Sequence, residues 1–399
     1  SVFRRLREHD PVHWAPEAKA FCISRYDDVV QVMRDADTFS SGAMGTELMK
    51  MDLGGVTLRS LPGIIRFMWR ARINPLSRET PQALISLDPP RHDALRSIVN
   101  RGFTPRRVEV WGARAQEIVD DCLADLHGSG SFDVVRDLAV PLPTQIIAEI
   151  LGVGCDRLDD FKRWTNAILA LASGSAKANS SAAGPLDNMG ELYAVMREIV
   201  RERKVHPKDD LISVIVDPVH GESLSDLEVT NFVVLLLAAG NETTTNLIGN
   251  ATDALLSHPG ELAKVNADPT LIPGMIEEVL RYDPPVQLLY RNTTRNVVLS
   301  GCEIPAGSIV VPLLASANRD ESRFSEPDRF DVERDTKGHL SFGLGVHFCL
   351  GASLARLEAK LAMQALVPHL PGLRRASRRN EWVDSSLVRG RSSLELIAG

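Results

Sequence analysis

The pattern of apolar and polar residues predicts a chain built mostly of α-helices. Apolar residues recur at helical spacing through almost all of residues 105–282. Short β-rich runs occur near the start, in "PVHWA" and "AFCISRY", and again after residue 285, in "VQLLYR", "NVVLSG" and "SIVVPLL". The expected fold is therefore mainly α with a small β region, and its sheet is built from both ends of the chain.

The longest predicted helix begins at a capping box and ends before a proline. Ser225 and Glu228 have the three-residue spacing of that motif, and the helical pattern then continues to Pro259. A helix of this length spans about 50 Å and crosses a whole domain. Its centre, residues 232–240, is apolar on every side, so we expect it to be buried.

Polar residues follow this apolar centre directly, in "AAGNETTT". A buried carboxylate at Glu242 beside the hydroxyl of Thr243 is costly and indicates a function. Thr243 can alternatively bond to the carbonyl of Ala239 and bend the helix, and this stretch alone leaves both interpretations open. The small residues Ala239 and Gly240 leave room for a flat group against the helix.

Composition and cysteine usage narrow the class of protein. With 399 residues, 44% of them hydrophobic, the chain can bury a large core. The net charge of -7 argues against nucleic-acid binding, and no apolar run is long enough for an integral membrane segment. Five scattered cysteines without a pairing pattern favour a reducing, cytoplasmic location.

No repeat or long linker divides the chain, so we expect one domain over residues 1–399. The chain opens inside a helical pattern, "SVFRRLREHD", and its start is expected to be truncated. Residues 172–188, rich in small and polar side chains, interrupt the helices and are expected to form a mobile connection.

Two stretches place charged residues on one face of a helix. Glu278 and Arg281 lie three apart in "IEEVLRYDPP", and His92 and Arg96 lie four apart in "DPPRHDALR". The second pair offers two cationic donors that can clamp an anion, whereas the alternative for both pairs is a solvated face. A later irregular segment, "ANRDESRFSEPDRFDVER", contains Arg329.

Cys349 lies in a glycine-rich stretch, "HLSFGLGVHFCLG", that changes abruptly into the helical pattern "ASLARLEA". A lone cysteine is most often a small buried hydrophobe. Its neighbours decide the case here, because the four stretches together resemble the cytochrome P450 family. They supply the cysteine loop, the acid–alcohol pair "ETT", the Glu-x-x-Arg pair and the segment beneath the haem, in the family's order from "DPPRH" to the C-terminus. The front end departs from the family, which usually has a further stretch before "VFRRLREHDPVHW".

The resemblance implies a cytochrome P450 fold in which the long central helix crosses a haem b. Cys349 would be the only protein ligand of the iron, and its thiolate would be stabilised by the turn and by the following helix. Glu278, Arg281 and Arg329 would form a structural network behind the cysteine. The resemblance implies that the cofactor is bound by Cys349, His92, Arg96, Arg291, His347, Phe342, Gly343, Gly345, Gly351, Ala239 and Gly240. Of these, His92, Arg96, Arg291 and His347 would bind the haem propionates.

The implied activity is a monooxygenase that inserts one atom of dioxygen into a C–H bond of a medium-to-large apolar small molecule. Thr243 would donate protons at the distal oxygen, and Glu242 would relay them from solvent. Electrons derived from NAD(P)H would arrive through a ferredoxin reductase and a ferredoxin. By family position the substrate would contact Leu235, Ala238, Val286, Leu288, Leu289, Leu387 and Val388.

Two surface features extend this interpretation. A basic patch that binds the ferredoxin is expected at Arg101, Arg106, Arg107, Arg356 and Lys360. The alternative is that these residues are scattered solvated charges. Residues 58–81 are expected to form a lid over the pocket. The alternatives are an amphipathic segment packed on the surface and a shallow contact with a membrane. Three other functions stay open: a peroxide-driven enzyme, a haem-thiolate sensor or electron carrier, and a haem-free helical scaffold.

Overall fold

The protein forms two compact units. The computed structural model describes residues 1–42, 61–71, 83–124, 131–153, 157–172, 184–218, 224–376 and 381–398. Unit 1 consists of Ser1–Ala43, Val108–Pro143 and Glu242–Gly399, and unit 2 consists of Met44–Arg107 and Thr144–Asn241. The single domain expected from the sequence remains a proposal.

Helices predominate in the described residues, as the sequence predicted. The α-helices are α1 Val2–His9, α2 Tyr26–Arg34, α3 Leu61–Ala71, α4 Arg91–Asn100, α5 Pro105–Leu123, α6 Pro141–Ile150, α7 Leu158–Ala172, α8 Pro185–Val205, α9 Leu211–Val216, α10 Asp226–Ser257, α11 Pro259–Ala267, α12 Ile272–Tyr282, α13 Leu314–Ala317 and α14 Ala352–Leu366. Short 3-10 turns cover Leu84–Ser86, Pro269–Leu271, Gly345–His347 and Val367–Gly372, and a π-helix covers Val134–Ala139.

The main sheet of unit 1 combines strands from both ends of the chain. Its order is β1-β2-β8-β5-β3, with β2 and β8 parallel and the other neighbours antiparallel. A second sheet has the order β4-β10-β9, and β6 pairs with β7. The strands are β1 Val12–Ala15, β2 Ala20–Ile23, β3 Phe39–Ser40, β4 Ser131–Asp133, β5 Arg291–Thr293, β6 Val297–Leu299, β7 Cys302–Ile304, β8 Ile309–Pro312, β9 Leu373–Arg375 and β10 Glu395–Ala398.

Two strand predictions need correction. The run "VQLLYR" is not a strand over residues 286–290, because only Arg291 at its end belongs to β5. Val286 instead makes an isolated antiparallel bridge to Val388. Conversely, β4 interrupts the region 105–282, which was predicted to be almost entirely helical, since Phe132 pairs with Leu396 near the C-terminus.

The capping box of the long helix is confirmed. The amide of Ser225 donates to Glu228 Oε2 at 2.9 Å, and the amide of Glu228 donates to Ser225 Oγ at 3.2 Å. The helix ends at Ser257, because His258 separates it from Pro259, the first residue of α11. The expected burial of residues 232–240 is only partly correct. Phe232, Val233 and Leu237 are buried, and their neighbours at 234–236 and 238–240 are at least partly exposed.

The predicted mobile connection at 172–188 falls mostly outside the described residues. Its final residues belong to α8, which begins at Pro185 and not after residue 188. Within the lid segment 58–81, residues 61–71 form α3 and the remainder lies outside the described residues. Of the helices that are described, none combines the length and the hydropathy needed to cross a membrane.

Candidate functional site

Cys349 lies in a tight loop between the 3-10 turn Gly345–His347 and helix α14. The loop is closed at its base, because the amide of Cys349 donates to the carbonyl of Phe342 at 2.8 Å. Cys349 is half-buried and is not part of a disulfide. Its thiol therefore stands just before the N-terminus of a 15-residue helix, where the aligned peptide dipoles favour the thiolate.

Two glycines of this loop have a left-handed backbone that other residues rarely adopt. Gly343 has φ 68° and Gly345 has φ 72°. A Cβ atom on Gly345 would come within 2.8 Å of the carbonyl oxygen of Met33, whereas one on Gly343 would meet nothing closer than the Met33 methyl at 3.5 Å. Both positions require glycine for their φ angle, and Gly345 is further constrained by this close backbone contact. Gly351 has an ordinary φ of -86° and open space around it, so the structure gives no steric reason for that glycine.

A cationic group stands beside the cysteine loop. The guanidinium of Arg356 lies 4.3 Å from the centre of the Phe342 ring and donates to both oxygens of Glu277, at 2.6 and 2.8 Å. Hydrogen bonds to Glu277 are the main reason that the pKa of Arg356 is raised, and the negative charge of the Cys349 thiolate adds to the effect. The sequence analysis assigned Arg356 only to a docking patch. Its contacts with Glu277 and Phe342 instead make it part of the cysteine's surroundings.

The four residues expected to bind propionates lie in different units. In unit 1, Arg291 is 3% exposed and donates to the carbonyl of Tyr290 at 2.8 Å, and His347 Nε2 lies 2.8 Å from Ser41 Oγ. In unit 2, His92 and Arg96 share α4.

The alternative interpretation of His92 and Arg96 was a solvated helix face, and His92 does not lie on such a face. Its side chain is 1% exposed, and its Nδ1 lies 2.8 Å from a carboxylate oxygen of Asp93. Arg96 is half-buried and donates from Nε to Asn100 Oδ1 at 3.0 Å, so its two terminal nitrogens are not used in that bond. This helix therefore holds a buried imidazole and an oriented guanidinium one turn apart.

Glu242 and Thr243 are half-buried on the long helix α10. Burial raises the pKa of Glu242, so its carboxyl holds a proton more readily than a surface glutamate. Thr230 and Thr252 of the same helix bond back to carbonyls four residues earlier, at 2.7 and 3.0 Å, which shows that the helix-bending alternative occurs elsewhere along it. For Thr243 both interpretations stay open.

The pair Glu278 and Arg281 is fully buried in unit 1. Arg281 donates to both carboxylate oxygens, at 2.7 and 2.8 Å, and to the carbonyls of Asn318 and Pro327 at 3.0 and 2.9 Å. The pair therefore fixes the irregular segment that precedes the cysteine loop. Because every donor has a partner, this arrangement offsets much of the cost of burying two charges.

The expected role of the Arg329 side chain needs correction. Only its backbone carbonyl joins the network, as an acceptor from Arg281 at 3.3 Å. Its guanidinium is 54% exposed and lies 3.5 and 3.6 Å from carboxylates of Glu326 and Asp331. Arg334, which the sequence analysis did not select, donates to Glu278 Oε1 at 3.3 Å and takes that place.

The residues expected to contact substrate divide between the two units. Leu235 and Ala238 are half-buried on the unit 2 part of α10. In unit 1, Val286 and Leu289 pack against one buried apolar cluster and Leu288 against another. Leu387 is half-buried and Val388 is buried in the C-terminal turn. None of these seven side chains is charged, which agrees with an apolar ligand.

The expected basic patch is largely paired. In unit 2, Arg101 donates to the carbonyls of Val214 and Asp217, and Arg107 pairs with Asp209 at 3.1 Å. Arg106 is exposed. In unit 1, Arg356 is paired with Glu277, and Lys360 on α14 is partly exposed. Arg106 and Lys360 are therefore the better positions at which to test a docking surface.

These residues fit a haem group. The thiol of Cys349, in a loop whose positive φ angles require two glycines, would be the ligand of the haem iron. The imidazoles and guanidiniums of His92, Arg96, Arg291 and His347 are the donor types that bind carboxylates. Ala239 is exposed, although Phe232 and Leu237 on the same helix are buried. A flat apolar group can therefore cover Ala239.

Comparison with known proteins agrees with this site. The family model for "Cytochrome P450" matches residues 67–370. The vitamin D(3) 25-hydroxylase of Pseudonocardia autotrophica is 41% identical over 405 aligned residues, covering 100% of this chain and 93% of that protein.

Solved structures give the same result. Cytochrome P450 CYP109Q5 from Chondromyces apiculatus superimposes with a TM-score of 0.84 at 40% identity, covering 100% of this chain and 94% of that chain. CYP109E1 from Bacillus megaterium, solved in complex with testosterone, gives 0.83 at 32% identity and covers 100% and 98%. The chain therefore belongs to the cytochrome P450 family, and it is a haem-dependent monooxygenase.

Proposed function

We propose that this monooxygenase inserts oxygen into a C–H bond of a medium-to-large apolar molecule, on a haem b whose iron is held by Cys349. The observation that carries the proposal is the closed loop around Cys349. Its amide is bonded to Phe342, Gly345 is packed against Met33, and the helix α14 follows at once. This geometry holds the thiol of Cys349 just ahead of a helix N-terminus, which favours the thiolate form that binds iron.

Four donor side chains are proposed to share the binding of the haem carboxylates. Arg291 and His347 of unit 1 and His92 and Arg96 of unit 2 are proposed to bind the two propionates, because each presents N–H groups from a buried or half-buried position. Phe342 is proposed to shield the sulfur on the side where Arg356 lies. When bound, the haem supplies the reductive activation of dioxygen.

The protein's own residues then control protons and water. Glu242 is proposed to take a proton from solvent at its carboxyl oxygen, and the raised pKa that burial gives it lets it hold that proton more readily than a surface glutamate does. Thr243 is proposed to pass the proton on from its hydroxyl. The apolar residues that precede them on α10 keep bulk water from the same space, which prevents a wasteful loss of reducing equivalents.

The substrate is proposed to be of the size of a steroid or a secosteroid. Leu235, Ala238, Leu387 and Val388 offer apolar surface without a charged anchor, so the area buried should dominate affinity at about 25 cal/mol per Å². The small Ala238 and Ala239 leave volume for a bulky ligand. Support comes from two relatives, a vitamin D(3) 25-hydroxylase and a P450 solved with testosterone.

Electrons are proposed to arrive from NAD(P)H through a ferredoxin reductase and a ferredoxin. The exposed Arg106 and the partly exposed Lys360 are the positions of the predicted basic patch with the fewest acidic partners in the described residues. The scattered cysteines further support a cytoplasmic location, where thiols stay reduced.

One turnover experiment tests the proposed function. Purified holoprotein, testosterone and ¹⁸O₂ are combined with NADPH, a ferredoxin reductase and a ferredoxin, and products are analysed by mass spectrometry. We expect a product that carries one ¹⁸O atom and that disappears when the ferredoxin is omitted. Equal product formation with hydrogen peroxide alone would favour the peroxide-driven alternative. A haem that stays six-coordinate and forms no product with testosterone, vitamin D3 or erythromycin would favour a sensor.

A further inference from the structure

Two segments proposed to contact the substrate are joined to each other by backbone pairing. Val286 and Val388 form an antiparallel bridge. The amide of Gln287 donates to the carbonyl of Leu387 at 2.9 Å, and the amide of Arg389 donates to the carbonyl of Pro285 at 2.8 Å. The stretch after the double proline and the C-terminal turn are therefore held together by their backbones, and we call them the paired segments, residues 285–289 and 387–389.

Asn250 connects the paired segments to the long helix α10. Its side-chain amide is 2% exposed and donates to two carbonyls, that of Asp283 at 3.0 Å and that of Arg389 at 3.1 Å. One carbonyl precedes the first segment and the other ends the second. An NH₂ group with two hydrogens can satisfy both acceptors at once, and few other side chains of this size can do so.

The position of Asn250 links these segments to the proposed proton donor. Asn250 follows Thr243 by seven residues on the same helix, which is two turns and returns to nearly the same side. The helix that carries Thr243 thus also carries the anchor of the paired segments. A change in that anchor alters the distance between the bound substrate and Thr243 without touching either.

A second contact fixes the far side of the turn. Arg389 donates from Nε to Asp283 Oδ1 at 2.8 Å, and its guanidinium lies 3.8 Å from the centre of the Trp382 ring. Burial raises the pKa of Asp283, and Arg389 opposes that effect. Arg389 therefore opposes the protonation of a half-buried carboxyl and holds the turn against the end of α12.

We propose that Asn250 and the Asp283–Arg389 pair are positioning residues that select which carbon of the substrate is oxidised. The inference rests on the proposed function, because it takes Val286, Leu387 and Val388 as substrate contacts. Neither Asn250 nor Arg389 contacts the substrate. They set where Leu387 and Val388 stand relative to the helix that carries the proton donor, and so they set the orientation in which a large ligand is held.

The test compares variants at Asn250 with a control on the same helix. Asn250→Asp keeps the shape of the side chain but places a carboxylate oxygen where the NH₂ group faces both carbonyls, and Asn250→Ala removes the whole side-chain amide. Thr252→Val is the matched control, because Thr252 is fully buried on α10 and bonds only within the helix and to the sulfur of Met363. Arg389→Gln and Arg389→Lys form a second series at a surface position, in which lysine retains the cation beside Asp283.

Three readouts are measured on the holoproteins. They are the dissociation constants from spin-state titration with testosterone, vitamin D3 and erythromycin, the dissociation constant of imidazole, which binds iron directly, and the ratio of hydroxylated products. We expect Asn250→Asp to weaken the best apolar ligand about tenfold and to change the product ratio, with imidazole binding unchanged. Asn250→Ala and Arg389→Gln should follow in the same direction, Arg389→Lys should restore most of the effect, and Thr252→Val should match the wild type.

The outcomes separate this inference from the function on which it rests. If the wild type responds to none of the three apolar ligands, the proposed substrate class is wrong and the inference falls with it. If the wild type responds but neither Asn250→Asp nor Arg389→Gln changes apolar affinity or product ratio, the inference alone is overturned. Equal weakening of imidazole and apolar ligands would also overturn it, because that pattern marks general damage to the fold.

Discussion

Arg281 and Glu278 form an ion pair in which both side chains are fully buried and two parallel hydrogen bonds of 2.7 and 2.8 Å join them. Arg281 also holds the carbonyls of Asn318 and Pro327, which lie in the irregular segment ahead of the cysteine loop. Removal of Arg281 would leave the Glu278 carboxylate without its main partner and both carbonyls without this donor, whereas removal of Glu278 would leave a buried guanidinium without its counter-ion. The pair therefore fixes the segment ahead of the cysteine loop, and we propose that its role at the haem site is structural.

Arg281→Ala is expected to lower the free energy of unfolding by about 3–5 kcal/mol, because it removes the main partner of the buried Glu278 carboxylate and leaves only the longer contact with Arg334 at 3.3 Å as a guanidinium partner. Urea unfolding and the haem content after purification measure this. Arg329→Ala is the control, since that guanidinium is exposed and its ion pairs are worth less than about 1 kcal/mol. An equal loss in both variants would show that the Arg329 side chain belongs to the network after all.

Gly345→Ala is expected to disturb the cysteine loop more than Gly301→Ala does. Both glycines have positive φ, 72° and 80°, so both substitutions carry similar backbone strain. Only at Gly345 would the new Cβ meet a backbone oxygen, at 2.8 Å from Met33, while Gly301 has open space. We expect a lower haem content and a changed haem spectrum for Gly345→Ala alone. Identical spectra for the two variants would contradict the assigned packing.

The cysteine loop illustrates which contacts can be predicted from the sequence and which cannot. The cysteine loop was predictable because its residues are neighbours in sequence and its turn depends on local φ angles. The contact of Gly345 with Met33 was not, since it joins residues 312 positions apart. Arg334 was missed for the same reason. Nothing in "DVER" shows that its arginine returns to Glu278 while Arg329 turns outward.

The fold shows the same division between local and distant information. The capping box at Ser225 and the strands β1, β2 and β8 follow from local patterns. The strand Ser131–Asp133 has three residues and exists because Glu395–Ala398 pairs with it. The partial exposure of the apolar stretch 232–240 was equally hidden, because periodicity reports which residues are apolar and not what covers them.

Thr243→Ala is expected to keep haem and ligand binding but to divert reducing equivalents into hydrogen peroxide, because the proposed proton donor is lost. Glu242→Gln should slow turnover about tenfold to a hundredfold through loss of the relay. The measurements are NADPH consumed, peroxide formed and product formed, with Thr252→Val as the control on the same helix. Unchanged coupling in Thr243→Ala together with unchanged turnover in Glu242→Gln would leave Thr243 only the helix-bending role.

Glu358 should make stability depend on pH. Its carboxyl is buried on α14, and burial raises its pKa to about 8, against a smaller opposing effect of a hydrogen bond with Thr244. Because the folded pKa lies above the unfolded value near 4.5, the folded state binds more protons, and stability falls as pH rises from about 4.5 to about 8. In Glu358→Gln this fall should be smaller, which Tm measured across that range would show. A wild-type Tm that rises over the same range, or an identical profile in the variant, would contradict the assignment.

The central claim is that Cys349 holds the haem iron, and the carbon monoxide complex of the reduced protein tests it most directly. Thiolate ligation gives a strongly red-shifted Soret band, because the sulfur donates electron density to the iron. Cys349→His is expected to abolish that band, and the haem content of the variant shows whether the cofactor is retained. Cys302→Ser changes another half-buried cysteine and is expected to keep the red-shifted band. Persistence of the band in Cys349→His, or its loss in Cys302→Ser, would contradict the claim.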